Sequence, residues 1–282
     1  MKEYIVTKDC LLIDYLVNDL KIQRKVVKRL LKENIKVNGE YISNYAYNLK
    51  PNDRVTIVDK IGDIKVIYED KDFIVIDKPS GLLSISDLKE KERTAYHLVR
   101  EYLNKKHEKI FVLHRIDKDT SGILVFCKDI KLRDALQENW NNLVYKRSYY
   151  GIVLGKLKEK SGHIENYLFE DKYGKVYVTK NGKKAITDYK VIKETNNYSL
   201  LDINIKTGRK NQIRVTFSDL GYPLIGDKNY GGIKAKRLYL HAYALSFINS
   251  LNNKKYEFVS PLPIDFESFL NKKIWQYFFL DR

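Results

Sequence analysis

The chain has 282 residues, of which 44% are hydrophobic, so it has enough apolar material for a packed core and is longer than one small module needs. The 52 lysines and arginines outnumber 36 acidic residues, and the net charge of +16 favours a polyanionic partner, either nucleic acid or an anionic membrane surface. The only two cysteines, Cys10 and Cys127, exclude a disulfide framework and a zinc site of clustered thiolates. Because the N-terminus lacks a signal-peptide pattern and no segment has the roughly 20 apolar residues that span a bilayer, we expect a cytoplasmic protein without membrane attachment.

Residues 1–60 are predicted to form a small unit of their own. Apolar spacing predicts a short amphipathic helix from Cys10 to Leu20 and a second helix over residues 21–32. The second helix carries basic residues every three to four positions and has no acidic residue. We call this set the basic stripe: Lys21, Arg24, Lys25, Lys28 and Lys32. Two interpretations are open at this point, a solvated face in a Lys-rich and Tyr-rich chain or a surface that contacts nucleic acid.

The segment after the basic stripe has the pattern of a hairpin followed by a further strand. Residues 35–39, IKVNG, predict a strand and a tight turn at Asn38-Gly39, and residues 51–53, PND, predict a turn before a strand over 54–58. This part of the chain resembles the S4 RNA-binding domain, in which a basic helix precedes a V-x-V-N-G hairpin and a G-D-x-V-x-I strand. Asn52 stands for the usual glycine, which is tolerable because Asn also accepts positive φ. The resemblance implies that the basic stripe contacts RNA.

From residue 65 onward the pattern changes to strands that alternate with helices, which predicts an α+β domain with a large mixed sheet over residues 65–282. Residues 78–81, KPSG, predict a forced turn. Helices are predicted over residues 94–105 and 133–140. Strands are predicted over residues 66–68, 73–76, 110–114, 123–127, 148–153, 185–192 and 200–205.

The strongest chemical motif is HRIDKDTSG at residues 114–122, a polar loop between two apolar strands. Asp117-x-Asp119 could open a calcium loop, but the twelfth position is Lys128, whose cation defeats binding. A second reading is a phosphotransferase with an aspartyl nucleophile, which needs a further acidic magnesium cluster that the sequence does not show. A third is a polar turn that caps backbone N–H groups, although this leaves the paired His114 and Arg115 unexplained.

The same segment resembles the H-R-L-D-x-x-T-S-G signature of RluA-type pseudouridine synthases. Other family motifs occur before and after this segment in the order that the family has, and the resemblance spans roughly residues 65–265. These motifs are EDKDFIVIDKPSG at 69–81, RSYYGIVLG at 147–155, TGRKNQIRV at 207–215, GYPLIGD at 221–227, RLYLHA at 237–242 and PLP at 261–263. The resemblance implies a pseudouridine synthase fold, preceded here by a small S4-like domain, and an enzyme that detaches uracil, turns it and rejoins it through C5.

The resemblance also implies the catalytic residues. Asp117 would be the nucleophile, since an ionised carboxylate can attack the uridine and hold one fragment covalently. Arg214 would keep this carboxylate charged and aimed, because a guanidinium fork suits a carboxylate. Tyr149 would stack on the base and take the proton from C5, while Tyr150 would point to the opposite face of its strand. Arg115 would fill the gap that the flipped base leaves.

Further expectations concern partners and alternatives. His114 and Arg209 are expected to contact RNA, and Asn211 and Thr216 stand where the family has histidines, so the roles of these two positions are open. No metal or cofactor is expected, because the isomerisation exchanges no electrons or phosphate. We expect a monomer acting on ribosomal RNA, with transfer RNA as the other possibility. The alternative function is a catalytically idle RNA-binding or ribosome-assembly factor on the same fold.

Overall fold

A computed structural model describes residues 2–31, 35–57, 60–61, 64–87 and 93–275. Two compact units make up the chain, Met1–Asp70 and Lys71–Arg282. Each is described separately below. The division lies a few residues beyond the boundary that the sequence predicts between residues 60 and 65, because the paired strands Lys60–Ile61 and Ile64–Glu69 fall in the first unit.

The described part of the first unit contains short strands and two helices around an apolar cluster. Its strands are β1 (Lys2–Ile5), β2 (Cys10–Leu11), β3 (Ile35–Val37), β4 (Glu40–Tyr41), β5 (Asn48–Leu49), β6 (Arg54–Ile57), β7 (Lys60–Ile61) and β8 (Ile64–Glu69). Its helices are α1 (Leu12–Asp14), which continues as a π-helical turn over Tyr15–Asp19, and α2 (Arg24–Leu30). Four of these strands form a sheet in the order β1-β6-β3-β4, and β2 pairs with β5.

Turn chemistry explains the sheet of the first unit. Asn38 and Gly39 both have positive φ, 51° and 91°, as a tight hairpin turn between β3 and β4 requires. The Asn38 side chain also donates to Asp53 at 2.8 Å and accepts from the Arg54 N–H at 2.9 Å, which ties this turn to the start of β6. Asn52 adopts φ 74°, as the sequence predicts for the position of the family's glycine.

The two predicted helices of the first unit are shorter than expected. The first begins at Leu12 rather than Cys10, because Cys10–Leu11 pairs with Asn48–Leu49 as a strand. The second begins at Arg24 rather than Lys21, since Lys21 adopts a left-handed conformation (φ 56°) and the Ile22 N–H donates back to the Leu16 carbonyl. The predicted helix end at Lys32 and the end of the β6 strand at Val58 lie outside the described residues.

The second unit is built on one large mixed sheet. Its strands are β9 (Phe73–Lys78), β10 (Phe111–Val112), β11 (Ser121–Cys127), β12 (Val144–Leu154), β13 (Ser161–Glu170), β14 (Val176–Thr179), β15 (Lys183–Glu194), β16 (Tyr198–Ile205), β17 (Leu240–Ile248) and β18 (Lys255–Val259). Its helices are α3 (Ala95–Asn104), α4 (Ile130–Glu138), α5 (Trp140–Leu143), α6 (Gln212–Asp219) and α7 (Ile264–Trp275). This confirms the α+β fold that the sequence predicts.

The strand order of this sheet is β14-β13-β15-β16-β12-β17-β11-β9, with β10 added to β11 and β18 to β17. The pairing of β11 with β17 is parallel, whereas the other pairs described in this unit are antiparallel. All seven residues of β11 are buried, as the apolar composition of a central strand requires. Gly122 is essential here, because a Cβ at this position would lie 2.2 Å from the Ala242 carbonyl oxygen.

The two faces of the sheet carry different cores. On one face α6 packs over β12, β15 and β16, with Ile203, Ile213 and Phe217 in the shared cluster. On the other face Phe266 of α7 packs against a cluster that includes Ile152. Tyr149 belongs to the first face and Tyr150 to the second, where it stacks on Tyr243 at 3.9 Å. The prediction that these adjacent tyrosines point in opposite directions is confirmed.

Several elements of the second unit differ from the sequence expectation. The strand predicted over 110–114 is limited to Phe111–Val112, because beyond it the imidazole of His114 takes the Val125 N–H in place of a backbone acceptor. The helix predicted over 133–140 begins at Ile130, which Asp129 caps through the Leu132 N–H, and it is interrupted at Asn139. The helix α6, which carries Arg214, was not predicted, since residues 207–215 were recognised only as a motif.

Candidate active site

The loop that contains Asp117 is held in place by a turn from a distant part of the chain. Ser84 accepts from the Ile116 N–H and donates to the Ile116 carbonyl, at 3.3 and 2.7 Å. Ser80 donates to the Asp119 carbonyl at 2.6 Å, and the Gly81 N–H donates to the Lys118 carbonyl at 2.9 Å. The backbone on both sides of Asp117 is therefore fixed by the Lys78–Ser84 segment, which explains why two separate motifs are needed for one loop.

Lys78 is the centre of this clamp. It is fully buried, and its ammonium group donates to the carbonyls of Pro79, Leu82 and Lys118 at 3.0, 2.6 and 2.9 Å. Burial lowers the pKa of Lys78 to about 7, against the opposing effect of Asp119 and Asp117. A buried ammonium group that donates to three carbonyls at once joins the KPSG turn to the Asp117 loop.

Asp117 lies beside Arg214, as the sequence predicts. The distance from an Asp117 carboxylate oxygen to the Arg214 guanidinium is 3.5 Å, and the Asp117 side chain is 31% exposed. Burial raises the pKa of Asp117, and the charges of Arg214 and Lys78 offset this only in part. The carboxyl group is thus exposed enough to meet a substrate but has lost part of its hydration, which makes a carboxylate more reactive as a nucleophile.

Arg214 has a closer ionic partner than Asp117. Its guanidinium makes two parallel hydrogen bonds to Asp227, at 2.7 and 2.8 Å, and a third to the Asn211 side chain at 2.9 Å. Asp227 is fully buried and also accepts from the Asn229 and Tyr230 N–H groups. Burial lowers the pKa of Arg214, but the hydrogen bonds and charge of Asp227, with the charge of Asp117, outweigh it and raise the pKa, so the charge of Arg214 is permanent. Arg214 therefore presents one fixed nitrogen towards Asp117.

The structure also shows what the two positions that depart from the family pattern do. Asn211 has positive φ (53°) at the start of α6, accepts from Arg214 and donates to the Tyr230 hydroxyl at 3.1 Å. Thr216 is fully buried on α6 and accepts from the Asn166 side chain at 3.0 Å. Asn211 thus orients the arginine beside Asp117, whereas Thr216 joins α6 to the sheet.

Tyr149 lies on β12 with its ring against the α6 cluster and facing the same cleft as Asp117. Burial raises the pKa of Tyr149, Arg147 lowers it and Asp117 raises it, and the net result is a pKa of about 12. The phenol is therefore protonated at neutral pH. Its ring face is the feature that it offers to a planar ligand.

The predicted RNA-contacting residues of this unit have different surroundings. His114 stacks on Trp140 at 5.5 Å, and burial lowers its pKa to about 4, so its ring is neutral. Arg115 is exposed, and among the described residues no hydrogen bond or ion pair holds its guanidinium. Arg209 is exposed and donates to the Lys184 carbonyl at 3.0 Å. Their contact with RNA stays a prediction.

These residues surround a cavity of about 460 Å³, within the range of roughly 300–1,000 Å³ that is usual for small-ligand sites. A smaller recess of about 90 Å³ shares Asp117, Tyr149 and Arg115 with the cavity and reaches Arg214. Cations predominate in the lining, which suits a polyanionic ligand. The charged residues that line the larger cavity are Asp87, Arg115, Asp117, Lys118, Arg147, Arg209 and Lys210.

Sequence reasoning did not assign a role to three residues of this site. In the sequence, Asp227 and Lys78 are each identified only as a position of a family motif. The feature that could have indicated a role is a charged residue within an otherwise apolar or turn-forming segment. Arg147 was likewise seen only as the first position of the tyrosine motif. Each of the three side chains is charged and buried, so its charge needs a partner. The sequence shows the charge, but only the structure shows the burial.

Two negative findings concern the described part of the chain. Within residues 2–31, 35–57, 60–61, 64–87 and 93–275, no group of three His, Cys, Asp or Glu side chains could hold a metal ion. Over the same residues, no helix combines the length and the apolar character that are needed to cross a membrane.

Comparison with known proteins agrees with this site. Residues 72–219 match the profile of RNA pseudouridylate synthase. The chain is 36% identical to ribosomal large subunit pseudouridine synthase D of Borreliella burgdorferi over 222 residues, which cover 74% of this chain and 68% of that one. It is 31% identical to an uncharacterized RNA pseudouridine synthase of Mycoplasma genitalium over 289 aligned positions, covering 94% and 93%. The solved structure of human RNA pseudouridylate synthase domain containing 1 has the same fold, with a TM-score of 0.62 at 20% identity over 72% of this chain and 85% of that one.

A large mixed sheet with an aspartate in a cationic cleft, together with these matches, defines an enzyme that isomerises uridine within RNA. The chain belongs to the RNA pseudouridylate synthase family, and its motifs and relatives are of the RluA type. The alternative of an idle RNA-binding factor is not favoured by these relationships.

Proposed function

We propose that this enzyme converts selected uridines of large-subunit ribosomal RNA into pseudouridine, with Asp117 as the nucleophile. The observation that carries the proposal is the carboxylate of Asp117, which opens into a cationic cavity beside Tyr149 and 3.5 Å from Arg214. The ribosomal substrate is supported by the Borreliella relative, whose name assigns it to the large subunit. Transfer RNA is the competing substrate, and the mapping described below separates the two.

In this proposal Asp117 bonds to the ribose or the base of a flipped uridine, and the bond between N1 of uracil and the ribose breaks. One fragment stays on Asp117 while the uracil turns, until C5 bonds to the ribose, loses its proton and the carboxylate is released. Arg214 stabilises the carboxylate before the attack, and its bond to Asp227 prevents it from following Asp117 into the substrate. Tyr149 stacks on the uracil ring as a neutral phenol. Tyr149 can take the proton from C5 only as the phenolate, and the charge of Asp117 opposes that form because it raises the pKa of Tyr149. Loss of this charge while Asp117 is covalently bound to the substrate would favour the phenolate.

Arg115 is proposed to occupy the place of the flipped base. It is exposed at the rim that the cavity and its inner recess share, and its guanidinium is free of protein partners among the described residues. A planar guanidinium can stack between neighbouring bases and contact their edges. His114 is proposed to support it from the cavity wall.

The first unit is proposed to be an S4-like RNA-binding domain. Arg24, Lys25 and Lys28 are exposed on or at the start of α2, and Lys21 is exposed just before it. If these cations meet phosphates, replacing Lys25 and Lys28 by Gln should reduce the slope of log affinity against log salt by roughly 2, because each phosphate contact contributes about 0.9. A matched double variant of Lys156 and Lys158, exposed lysines of the second unit, should leave the slope nearly unchanged. An equal effect of both pairs would contradict the assignment.

The activity is tested by mapping pseudouridine with carbodiimide adducts and primer extension. The RNA comes from cells that lack this gene, before and after treatment with the purified protein. New stops should appear with wild type and with Asp119→Asn, which alters a carboxylate two residues away in the same loop. They should be absent with Asp117→Asn, whose RNA affinity should stay close to that of wild type. No new stops on any ribosomal or transfer RNA, with binding intact, would instead indicate an RNA-binding factor.

A cytoplasmic monomer is proposed as the working form, since the relatives named above are bacterial and the ribosomal RNA of bacteria lies in the cytoplasm. Sedimentation at micromolar concentration, with and without RNA, tests the monomer. A dimer that persists on dilution would contradict it.

A further inference from the structure

Arg147 is a buried cation in the wall of the catalytic cavity that the proposed reaction does not use. It is 8% exposed and lies on β12, two residues before Tyr149. Alternate residues of a strand share one face, and both side chains line the cavity with Asp117.

The protein supplies little to balance this charge. One guanidinium nitrogen of Arg147 donates to the Lys206 carbonyl, and another lies against Gly208, where a Cβ would be 3.1 Å away. Among the described residues, no carboxylate lies within ion-pair distance of Arg147. Burial lowers the pKa of Arg147, and the neighbouring Arg209 lowers it further.

Comparison with Arg214 shows how unusual this is within the same site. Both arginines are buried, but Arg214 has two short hydrogen bonds to Asp227, whereas Arg147 has a neutral carbonyl as its protein partner. A buried charge without a counter-charge costs stability and needs compensation from elsewhere. In an RNA-modifying enzyme the anion that enters this cavity is the substrate.

We propose that Arg147 binds a phosphate of the flipped nucleotide, on the 3′ or the 5′ side of the uridine whose base stacks on Tyr149. This inference rests on the proposed function of the cavity as the uridine site. A guanidinium fork matches two phosphate oxygens, and the hydrogen bond to the Lys206 carbonyl, together with the position beside Gly208, aims the fork without neutralising its charge. Base and phosphate are then held by side chains two residues apart on one strand, which sets the ribose between them against Asp117.

The test compares uridine, uridine 3′-monophosphate and uridine 5′-monophosphate as ligands of the full-length protein at constant ionic strength. Dissociation constants are measured by calorimetry or NMR titration. Wild type should bind one of the two monophosphates roughly tenfold more tightly than uridine, as a charge-assisted hydrogen bond provides. Arg147→Met should lose this preference and keep the affinity for uridine, while Arg147→Lys should retain part of it.

Lys210 provides the matched control. It lines the same cavity, but Glu170 lies 2.5 Å from its ammonium group and balances its charge. Lys210→Met should therefore keep the phosphate preference of wild type. Wild type without preference for either monophosphate, or Arg147→Met with the preference intact, would overturn the proposal.

Two further outcomes are informative: one would show that Arg147 has a purely structural role, and the other would show that the proposed function is wrong while the phosphate site exists. Loss of uridine and nucleotide binding together in Arg147→Met, with a lowered unfolding temperature, would show that Arg147 only fastens β12 to the Lys206 turn and would overturn the proposal. A phosphate preference that depends on Arg147 in a protein that forms no pseudouridine would confirm the phosphate site and refute the activity instead.

Discussion

The pair formed by Arg214 and Asp227 allows one prediction to be worked out from the structure. In Asp227→Asn the shape is kept but the negative charge is removed from a fully buried position. Arg214, which is 7% exposed, then has no full counter-charge except the more distant Asp117 at 3.5 Å. Breaking a buried ion pair on one side costs about 3–5 kcal/mol, and Asn retains one acceptor, so we expect about 3 kcal/mol.

Urea unfolding monitored by circular dichroism measures this loss, and the melting temperature should fall by about 10 °C for a unit of this size. The control is Glu165→Gln. Glu165 and Lys184 also lie 2.7 Å apart, the distance between Arg214 and Asp227, but their side chains are 39% and 48% exposed. Solvent screens an exposed pair, which therefore contributes little to stability, so the control should be nearly neutral. Equal losses in both variants would refute the argument that burial decides the strength of the pair.

Asp227→Asn should also lower kcat, because Arg214 without its bonds to Asp227 can move towards Asp117 or away from it. The double variant Arg214→Met with Asp227→Leu separates the two effects. Replacing a buried ion pair by apolar residues of similar size is often neutral for stability, so most of the 3 kcal/mol or so should return. Activity should not return, since Asp117 then has no cation beside it. A double variant that regains both would show that Arg214 serves stability alone.

The other predictions concern the nucleophile, a glycine and the stacking ring. The pKa of Asp117 is raised in the folded protein, so its ionised form lowers the stability of the fold at pH values above that pKa. Asp117→Asn should therefore raise the free energy of unfolding at pH 7. Unfolding curves at lower pH should show this gain vanish as the pH falls towards 3.8. Gly122→Ala should lower the free energy of unfolding by more than about 3 kcal/mol, since its Cβ would lie 2.2 Å from the Ala242 carbonyl oxygen. Gly81 has a positive φ but open space around it, so Gly81→Ala should lower the free energy of unfolding by about 1–2 kcal/mol in the same assay. Tyr149→Phe should bind RNA as wild type does but lower kcat, while Tyr149→Leu should also weaken binding by about 1–3 kcal/mol; an unchanged kcat in the Phe variant would exclude the hydroxyl from proton transfer.

Much of this protein could be predicted from local sequence. Asn38-Gly39 specifies its hairpin because few residue pairs accept positive φ at two successive positions, and the structure has that turn. The five apolar residues 123–127 specify a buried strand, which the structure extends to Ser121–Cys127, and alternation along β12 separates Tyr149 from Tyr150. The resemblance to the family motifs alone predicts that Arg214 stands beside Asp117, since the chemistry of the family needs both residues.

Where local patterns were misleading, a contact with a distant segment was responsible. Cys10 and Leu11 fit a helix but pair with Asn48 and Leu49. The strand predicted over residues 110–114 stops at Val112, because His114 supplies a side-chain acceptor to Val125. Neither outcome can be deduced from spacing along the chain, because each depends on a segment more than ten residues away.

Tertiary structure alone decided how the charges of the site are shared. The sequence predicts that Arg214 stands beside Asp117, but only the fold shows that Asp227 holds it, and that Lys78 joins its own turn to the Asp117 loop. It also decides that Arg147 is buried without a carboxylate while Lys210 has one. Residue type and motif thus determined which reaction this chain carries out. The partner of each charge depends instead on burial and on distances below 4 Å between residues far apart in sequence. The reason is that electrostatic interactions weaken rapidly with separation and with exposure to water.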